Sequence, residues 1–322
     1  MSAQAHALAK SRHDDATTAT FAADVLSGLT AQPKRLPPKY FYDATGSALF
    51  EEITRLPEYY PTRTELGILG ERGAEIAALI PNGAALIEFG AGATTKARLL
   101  LASGAFGAYV PVDISGEFLN AQARQLRADL PELPVYPVTA DFTASFVLPK
   151  PVQAMPKVGF FPGSTIGNFE PHEATAFLRS VRAILGQDAW LIVGVDLEKD
   201  ERILAAAYND AAGVTARFDL NLLARINHEL GGTFDLDAFR HRAIYNRERH
   251  RIEMHLISRK AQEARVEGRR IAFRAGETIH TENSYKYSLE RFAALARGAG
   301  WTPHASWTDR DVTFSVHALR AG

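Results

Sequence analysis

The run Ile87-Glu88-Phe89-Gly90-Ala91-Gly92-Ala93-Thr94-Thr95-Lys96 joins an apolar segment, AALIEF, to a helix-forming one, TKARLLLAS. Glycines at such a junction let a ligand approach the backbone and leave the amides of a helix start turned towards it. Twenty-one residues beyond Gly92, Asp113 closes the next apolar segment, where a carboxylate accepts both hydroxyls of a ribose. Asp141 follows the third segment, placed to accept from the exocyclic amine of an adenine, with Phe142 to cover the ring. Loop and acids together describe a nucleoside site; taken singly, the loop is also a tight turn of any α/β protein and Asp141 a helix cap. Charge narrows the ligand. Glu88, just before the first glycine, is a poor neighbour for a pyrophosphate and a good one for a cation. Thr95 stands where a dinucleotide loop wants glycine or alanine, and there is no G-K-[ST] phosphate loop. S-adenosylmethionine, with its ammonium and sulfonium, meets these demands with Glu88, Gly90, Gly92, Lys96, Asp113, Asp141 and Phe142 as its contacts. A nucleoside-binding module without turnover meets them too.

The acceptor side is carried by fewer residues. The fourth apolar segment exits into Gly163-Ser164-Thr165-Ile166-Gly167-Asn168, where two glycines admit a substrate and Asn168 offers a donor and an acceptor, unless it caps the helix that starts near Pro171. Tyr40, Tyr42, Tyr59 and Tyr60 cluster within about twenty residues, and Tyr208 stands in AAAYNDAAG. Aromatic faces of this kind hold cationic or methylated amines, although any one tyrosine also serves as plain core. Glu282 and Ser284, two apart in an extended stretch, point to one side, where one oxygen would meet each nitrogen of an imidazole. The ten histidines show no H-E-x-x-H or other metal spacing, and no metal is expected. No residue stands out as a dedicated acid or base.

These groups need a frame to hold them. Segments near 84–90, 108–115, 135–142, 157–162 and 189–197 read as buried strands separated by helices, which predicts a parallel, doubly wound sheet with helices on both faces. After 200 two helices follow, split at Gly213-Val214. RIEMHLIS and RRIAFRAGETIHTE read as two extended segments of a hairpin or short sheet, then a helix at SLERFAALARGAG, and DVTFSVHALR as a strand rejoining the first sheet. Helical patches near 48–55 and 64–79 are separated by Pro57 and Pro61. The expected organisation is a Rossmann-like donor-binding domain over 65–200 plus 286–322, an α+β substrate lobe over 21–64 plus 201–285, and a polar, flexible start over 1–20. Ligands favour the cleft such lobes leave at the carboxyl ends of the strands.

Composition excludes several alternatives. The 322 residues include no cysteine, so disulfides, thiolate metal sites and cysteine nucleophiles are out, and a reducing cytoplasm fits. Thirty-six basic against 37 acidic side chains leave a net charge of −1, unlike a nucleic-acid binder. The one basic run, HRAIYNRERHR, carries a flanking glutamate and reads as a solvated surface. The start of the chain has no signal pattern, and no run of 18 apolar residues marks a membrane span. A monomer with small-molecule partners is the expectation.

Seven stretches in order carry a resemblance: PPKYFYDATGSALFEEITRLPEYYPTRTE, IEFGAGATTKARLLL, YVPVDIS, FFPGSTIGNFEP, LIVGVDLEKD, AYNDAAGVTARFDLNLLARINHELGG and HTENSYKYS. From about residue 33 onward the chain resembles the histidine-specific Nα-methyltransferases, which form hercynine for ergothioneine biosynthesis. The resemblance implies S-adenosylmethionine in the doubly wound domain and L-histidine at its junction with the second lobe. It assigns the carboxylate to Asn168 and Tyr208 and the imidazole to Glu282 and Ser284. It also gives a further substrate contact to Tyr59 or Tyr60, and pocket-lining positions to Gly163 and Met254. Related enzymes that methylate tryptophan-derived amines share the layout. The retained Glu282 and Ser284 favour histidine, while Asn283 and Tyr285 between and beside them leave the acceptor partly open.

Overall fold

The structure, a computed structural model, describes residues 18–322. Residues 1–17 of the polar start expected over 1–20 lie outside the described residues, whereas 18–20 already belong to a helix over 18–30, α1. In chain order there follow β1 (Lys34–Arg35), α2 (Ala44–Ile53), α3 (Tyr60–Ala78), β2 (Ala84–Phe89), α4 (Thr95–Ser103), β3 (Phe106–Asp113), α5 (Gly116–Asp129), β4 (Val138–Thr139), β5 (Lys157–Phe161), α6 (Pro171–Leu185) and β6 (Trp190–Asp196). The remainder is α7 (Glu201–Tyr208), α8 (Val214–Glu229), β7 (Phe239–Asn246), β8 (Arg251–Ser258), β9 (Gln262–Val266), β10 (Arg269–Phe273), β11 (Thr278–Tyr285), α9 (Leu289–Gly298), β12 (Trp301–Thr308) and β13 (Phe314–Ala321).

The chain forms two compact units. The larger holds 54–207, 245–252 and 283–322; the smaller holds the residues up to 53, 208–244 and 253–282. Compared with the division expected from sequence, residues 54–64, most of α7, 245–252 and 283–285 go with the larger unit. Pro61 does not break a helix but sits in the first turn of α3, where a missing N–H is harmless.

In the larger unit seven strands run in the order β12-β13-β6-β5-β2-β3-β4. β2 to β6 are mutually parallel, and the C-terminal strand β13 rejoins this sheet as expected, running antiparallel beside β6. Every residue of β2 and of β6 is buried, because helices cover both faces and an unalternating apolar run is what such a strand requires. Ile87 and Phe89 point into one core with Leu178, Val181 and Phe292. Ala84 and Leu86 point into the other with Leu69, Leu100 and Leu126. Each large side chain so buried contributes about 1.5–3 kcal/mol. The strand order reverses between β2 and β5, and the crevice at the carboxyl ends of those two strands is where doubly wound sheets bind ligands. The third predicted strand shrinks to Val138–Thr139 plus an isolated bridge from Tyr109 to Val135, since Pro134 and Pro137 lack the donor a ladder needs.

The smaller unit contains α1, α2 and α8, with Phe41 stacked on Phe218 at 4.5 Å. A second sheet has the order β1-β11-β8-β7, and β9 pairs with β10 as a separate hairpin. The stretch RRIAFRAGETIHTE is therefore two strands in different sheets, β10 and β11, parted at Gly276 with φ 81°. The basic run at 241–251 is solvated only in part: Arg242, Arg247, Glu248 and Arg249 are exposed, whereas its first residues are β7, where the His241 side chain is 4% exposed, and its last opens β8. Among the described residues no helix is long and apolar enough to cross a membrane.

Candidate active site

The glycine loop leaves the buried end of β2 and turns at Gly90, whose φ of 73° is open to glycine and strained for other residues. The Gly90 and Ala91 amides donate to the Val112 carbonyl at 2.8 and 3.0 Å, and the Gly92 amide to Gly90 O at 2.9 Å. These three amides are thus turned back into the fold, ahead of the start of α4 at Thr95. What the loop offers is room: a Cβ on Gly92 would meet nothing within 4 Å. A Cβ on Gly90 would lie 3.3 Å from the Phe142 ring, so the exit of β4 folds over the loop after β2. Phe142 is itself held edge-on against Phe161 and Phe177 at 5.7 and 5.9 Å.

The two acids differ. Asp113 ends β3 and accepts the Ser115 amide at 2.8 Å; burial raises its carboxyl, against the Ser115 hydrogen bonds. Asp141 Oδ1 accepts the Thr143 amide at 2.9 Å and its hydroxyl at 2.5 Å, a local turn that occupies one of its oxygens. Glu88 is buried and accepts the Tyr109 hydroxyl. Burial pushes Glu88 up to about 8, opposed by that hydrogen bond and by the Lys96 charge. An open loop, an acid at the end of β3, an aromatic ring over the loop and a buried acid at the end of β2 fit a sulfonium nucleoside with an ammonium tail.

Lys96, the last residue of the loop motif, does not stand alone. Its ammonium lies 2.6 Å from Glu65 of α3, which is fully buried. The same carboxylate accepts the Gly163 amide at 2.8 Å, and so ties the exit of β5 to the start of α4. Sequence reasoning missed Glu65. The signal was Gly194, a lone glycine inside a strand: a Cβ there would lie 1.9 Å from Glu65 Oε1.

The exit of β5 is shaped by two left-handed residues, Gly163 with φ 79° and Ser164 with φ 57°. A non-glycine residue there is strained and must be held; Ser164 Oγ accepts the Asp196 amide at 2.9 Å. Asn168 closes the short 3-10 turn Thr165–Asn168. It does not cap α6, because Glu170 and Glu173 form that capping box. Gly167 is packed on the backbone of Tyr285, where a Cβ would lie 2.7 Å from the carbonyl oxygen.

A second buried polar cluster was also invisible from sequence. Asp196, at the end of β6, takes hydrogen bonds from Tyr60 at 2.7 and 2.8 Å, from Lys199 at 2.6 Å and from Lys286 at 2.7 Å. Burial alone would raise Asp196, but the Lys286 and Lys199 ammonium groups hold it below the usual carboxylate range. Burial lowers Lys199 to about 8 against the pull of Asp196. Lys286 also donates to Ser284 Oγ at 2.8 Å. The hydroxyl of Tyr60 donates to Asp196 and accepts from Lys199 at 2.7 Å, while Tyr59 is the residue just before α3.

In the smaller unit Tyr208, the last residue of α7, accepts at its carbonyl from His241 Nε2 at 2.8 Å, and His241 Nδ1 lies 2.7 Å from Asp219. Met254 is buried in β8 and its carbonyl accepts the Thr281 hydroxyl at 3.2 Å. Glu282 lies on β11, two residues before Ser284. Tyr42 packs edge-on against Phe50 and Phe218. Tyr40 donates to Asp24 at 2.6 Å and lies against Phe21, a structural role. Of the four tyrosines grouped by sequence, Tyr40 and Tyr42 belong to the smaller unit, Tyr59 and Tyr60 to the larger. Among the described residues no three metal-type ligands gather.

A doubly wound sheet with an open glycine loop after one strand and an acid at the end of its neighbour defines a Rossmann-like α/β fold of the nucleoside-binding kind. The histidine-specific, S-adenosylmethionine-dependent methyltransferases match residues 21–321, and the chain belongs to that family. It is 42% identical over 303 residues to histidine N-alpha-methyltransferase of Mycolicibacterium smegmatis, spanning 91% of this chain and 92% of that one. It is 39% identical over 313 residues to the Mycobacterium tuberculosis protein of the same name, spanning 94% and 95%. Ergothioneine biosynthesis protein 1 of Neurospora crassa is 31% identical over 302 residues, which is 86% of this chain and 32% of that protein.

Proposed function

We propose that this methyltransferase converts L-histidine to Nα,Nα,Nα-trimethyl-L-histidine, hercynine, for ergothioneine biosynthesis. The observation that carries this reading is the match of a histidine-specific family along residues 21–321. S-adenosylmethionine, when bound, would supply a methyl group that a neutral amine attacks in line, with the thioether of S-adenosylhomocysteine as the leaving group. The chain's own task is then alignment, which removes much of the barrier without acid or base machinery.

Gly90 and Gly92 give the donor room, Asp113 takes its ribose, Phe142 with Asp141 its adenine, and Glu88 with Lys96 sets the charge around its amino-acid end. Asn168 and Tyr208 hold the carboxylate of histidine, Glu282 and Ser284 its imidazole, and Gly163, Met254, Tyr42 and Tyr59 shape the remainder of the pocket. With carboxylate and ring both held, the α-amine is the group left to face the methyl. It must shed a proton before each further transfer, to water or a tyrosine hydroxyl. The work is that of a monomer in the cytoplasm, with no nucleic-acid or membrane partner.

Calorimetric titration of histidine into Glu282→Ala tests the acceptor assignment. At least a tenfold loss of affinity is expected, the order of one charge-assisted hydrogen bond, about 1.5–3 kcal/mol. Unchanged affinity removes Glu282 from the pocket.

A further inference from the structure

We propose that Tyr285 and Glu170 are positioning residues for the acceptor: they hold the chain on both sides of Asn168 and so fix where its amide meets the carboxylate of the substrate. This rests on the assignment of Asn168 to that carboxylate given above.

Asn168 ends the 3-10 turn that follows β5 and stands, partly exposed, between two anchored neighbours. On one side Gly167 is buried against the backbone of Tyr285, where a Cβ would lie 2.7 Å from the carbonyl oxygen and 3.1 Å from the amide nitrogen. On the other side the Tyr285 hydroxyl donates to Glu170 at 2.5 Å. One residue of β11 thus meets the chain just before Asn168 with its backbone and two residues after it with its side chain. Phe169, in between, is stacked on Phe177 at 5.2 Å.

Glu170 does more than begin α6. A serine, asparagine or aspartate suffices to cap a helix. The longer glutamate reaches further, and its carboxylate also accepts from Arg251 at 2.5 Å and from Asn283 at 3.4 Å. Arg251 is buried and donates to the Tyr285 hydroxyl at 2.7 Å, which closes a ring of hydrogen bonds through Glu170, Tyr285 and Arg251. Burial alone would raise Glu170, but the hydrogen bonds from Tyr285 and Arg251 hold it below the usual carboxylate range. Its negative charge is matched by Arg251, so a substrate carboxylate held at Asn168 meets no unbalanced anion. Asn168, Glu170, Arg251 and Tyr285 all belong to the larger unit. Tyr285, which in sequence leaves the acceptor partly open, therefore bears on the carboxylate that every amino acid carries.

The test is a double-variant cycle on Tyr285→Phe and Asn168→Ala. It is read as KM for histidine, KM for S-adenosylmethionine, and calorimetric Kd of histidine with S-adenosylhomocysteine present. Tyr285→Phe keeps the ring and removes only the hydroxyl. KM and Kd for histidine are expected to rise about fivefold, a usual size of coupling within one hydrogen-bond network, while KM for the donor stays at the wild-type value. In the Asn168→Ala background the same change is expected to cost less than about twofold, because no amide remains to be positioned. A loss of equal size in both backgrounds, or an equal rise in KM for the donor, marks a merely structural contact and overturns the proposal. So does a Tyr285→Phe that binds histidine as the wild type does. If Tyr285→Phe does not fold, Glu170→Gln, which loses the charge that pairs with Arg251, takes its place in the cycle and is judged by the same outcomes. An Asn168→Ala that binds histidine as the wild type does contradicts the carboxylate assignment itself, which separates that failure from this one.

Discussion

Gly194 lacks a side chain where Glu65 needs the space: a Cβ on Gly194 would stand 1.9 Å from Glu65 Oε1. That carboxylate joins the Lys96 ammonium to the Gly163 amide, and so fixes the loops after β2 and β5 on either side of the point where strand order reverses.

Gly194→Ala and Glu65→Ala should therefore fail in the same way. Breaking a buried ion pair costs about 3–5 kcal/mol. Each variant is expected to lose roughly that much in urea unfolding and to bind S-adenosylmethionine more weakly in equilibrium dialysis. Because both remove one contact, the double variant is expected to be no worse than the poorer single one. Additive losses would show that the glycine and the glutamate act separately.

Glu88, proposed above to meet the donor, has a proton affinity raised by burial. Its folded pKa, about 8, lies above the ordinary carboxyl value of 4.5 because of burial. The folded state then holds the proton more tightly, so the stability Glu88 contributes is complete below about pH 4.5 and is lost as pH rises through about 8. Glu88→Gln is expected to match wild type in thermal melting near pH 4.5 and to exceed it increasingly up to pH 8.5. The ammonium of the donor would drive Glu88 to ionise. Binding at pH 7 is then expected to release up to one proton in wild type and none in Glu88→Gln, measured by calorimetry in buffers of different ionisation enthalpy. Equal proton release from both would free Glu88 of this role.

His241 carries the opposite kind of charge in the smaller unit. Burial alone would lower its pKa, but the hydrogen bond and charge of Asp219 and the Tyr208 carbonyl raise it above 6.5. The stability it contributes is complete below pH 6.5 and is lost as pH rises through the raised value. Melting temperature in wild type is expected to fall between pH 6 and pH 8 by more than in His241→Gln. Since His241 holds the backbone of Tyr208, the variant should also raise KM for histidine more than it lowers kcat. Equal pH slopes in the two proteins would contradict a charged His241.

Much of the frame was legible because it follows from local pattern. AALIEF and WLIVGVD announce strands covered on both faces, and Gly90 to Gly92 announce the turn between strand and helix. Those features depend on neighbours in sequence. The polar clusters do not: Glu65 meets Gly163 across 98 residues, and Tyr60 meets Asp196 across 136. No periodicity reports such pairs, and only the lone glycine of β6 hinted at one of them. Nor did the glycine motif reveal that the Gly90 and Ala91 amides bond to Val112. β12 escaped because Pro303 lies in the strand and most of its residues are not buried, so it reads as a loop. β7 was hidden in a basic run whose inward positions, Phe239, His241 and Ala243, alternate with arginines.

The most direct measurement is incubation of the purified protein with S-adenosylmethionine and a panel of free amino acids that includes histidine and tryptophan, followed by mass spectrometry. Histidine carrying three added methyl groups, with three equivalents of S-adenosylhomocysteine, is the expected result. Turnover of another amine with histidine untouched, or no S-adenosylhomocysteine from any acceptor, would contradict the assignment.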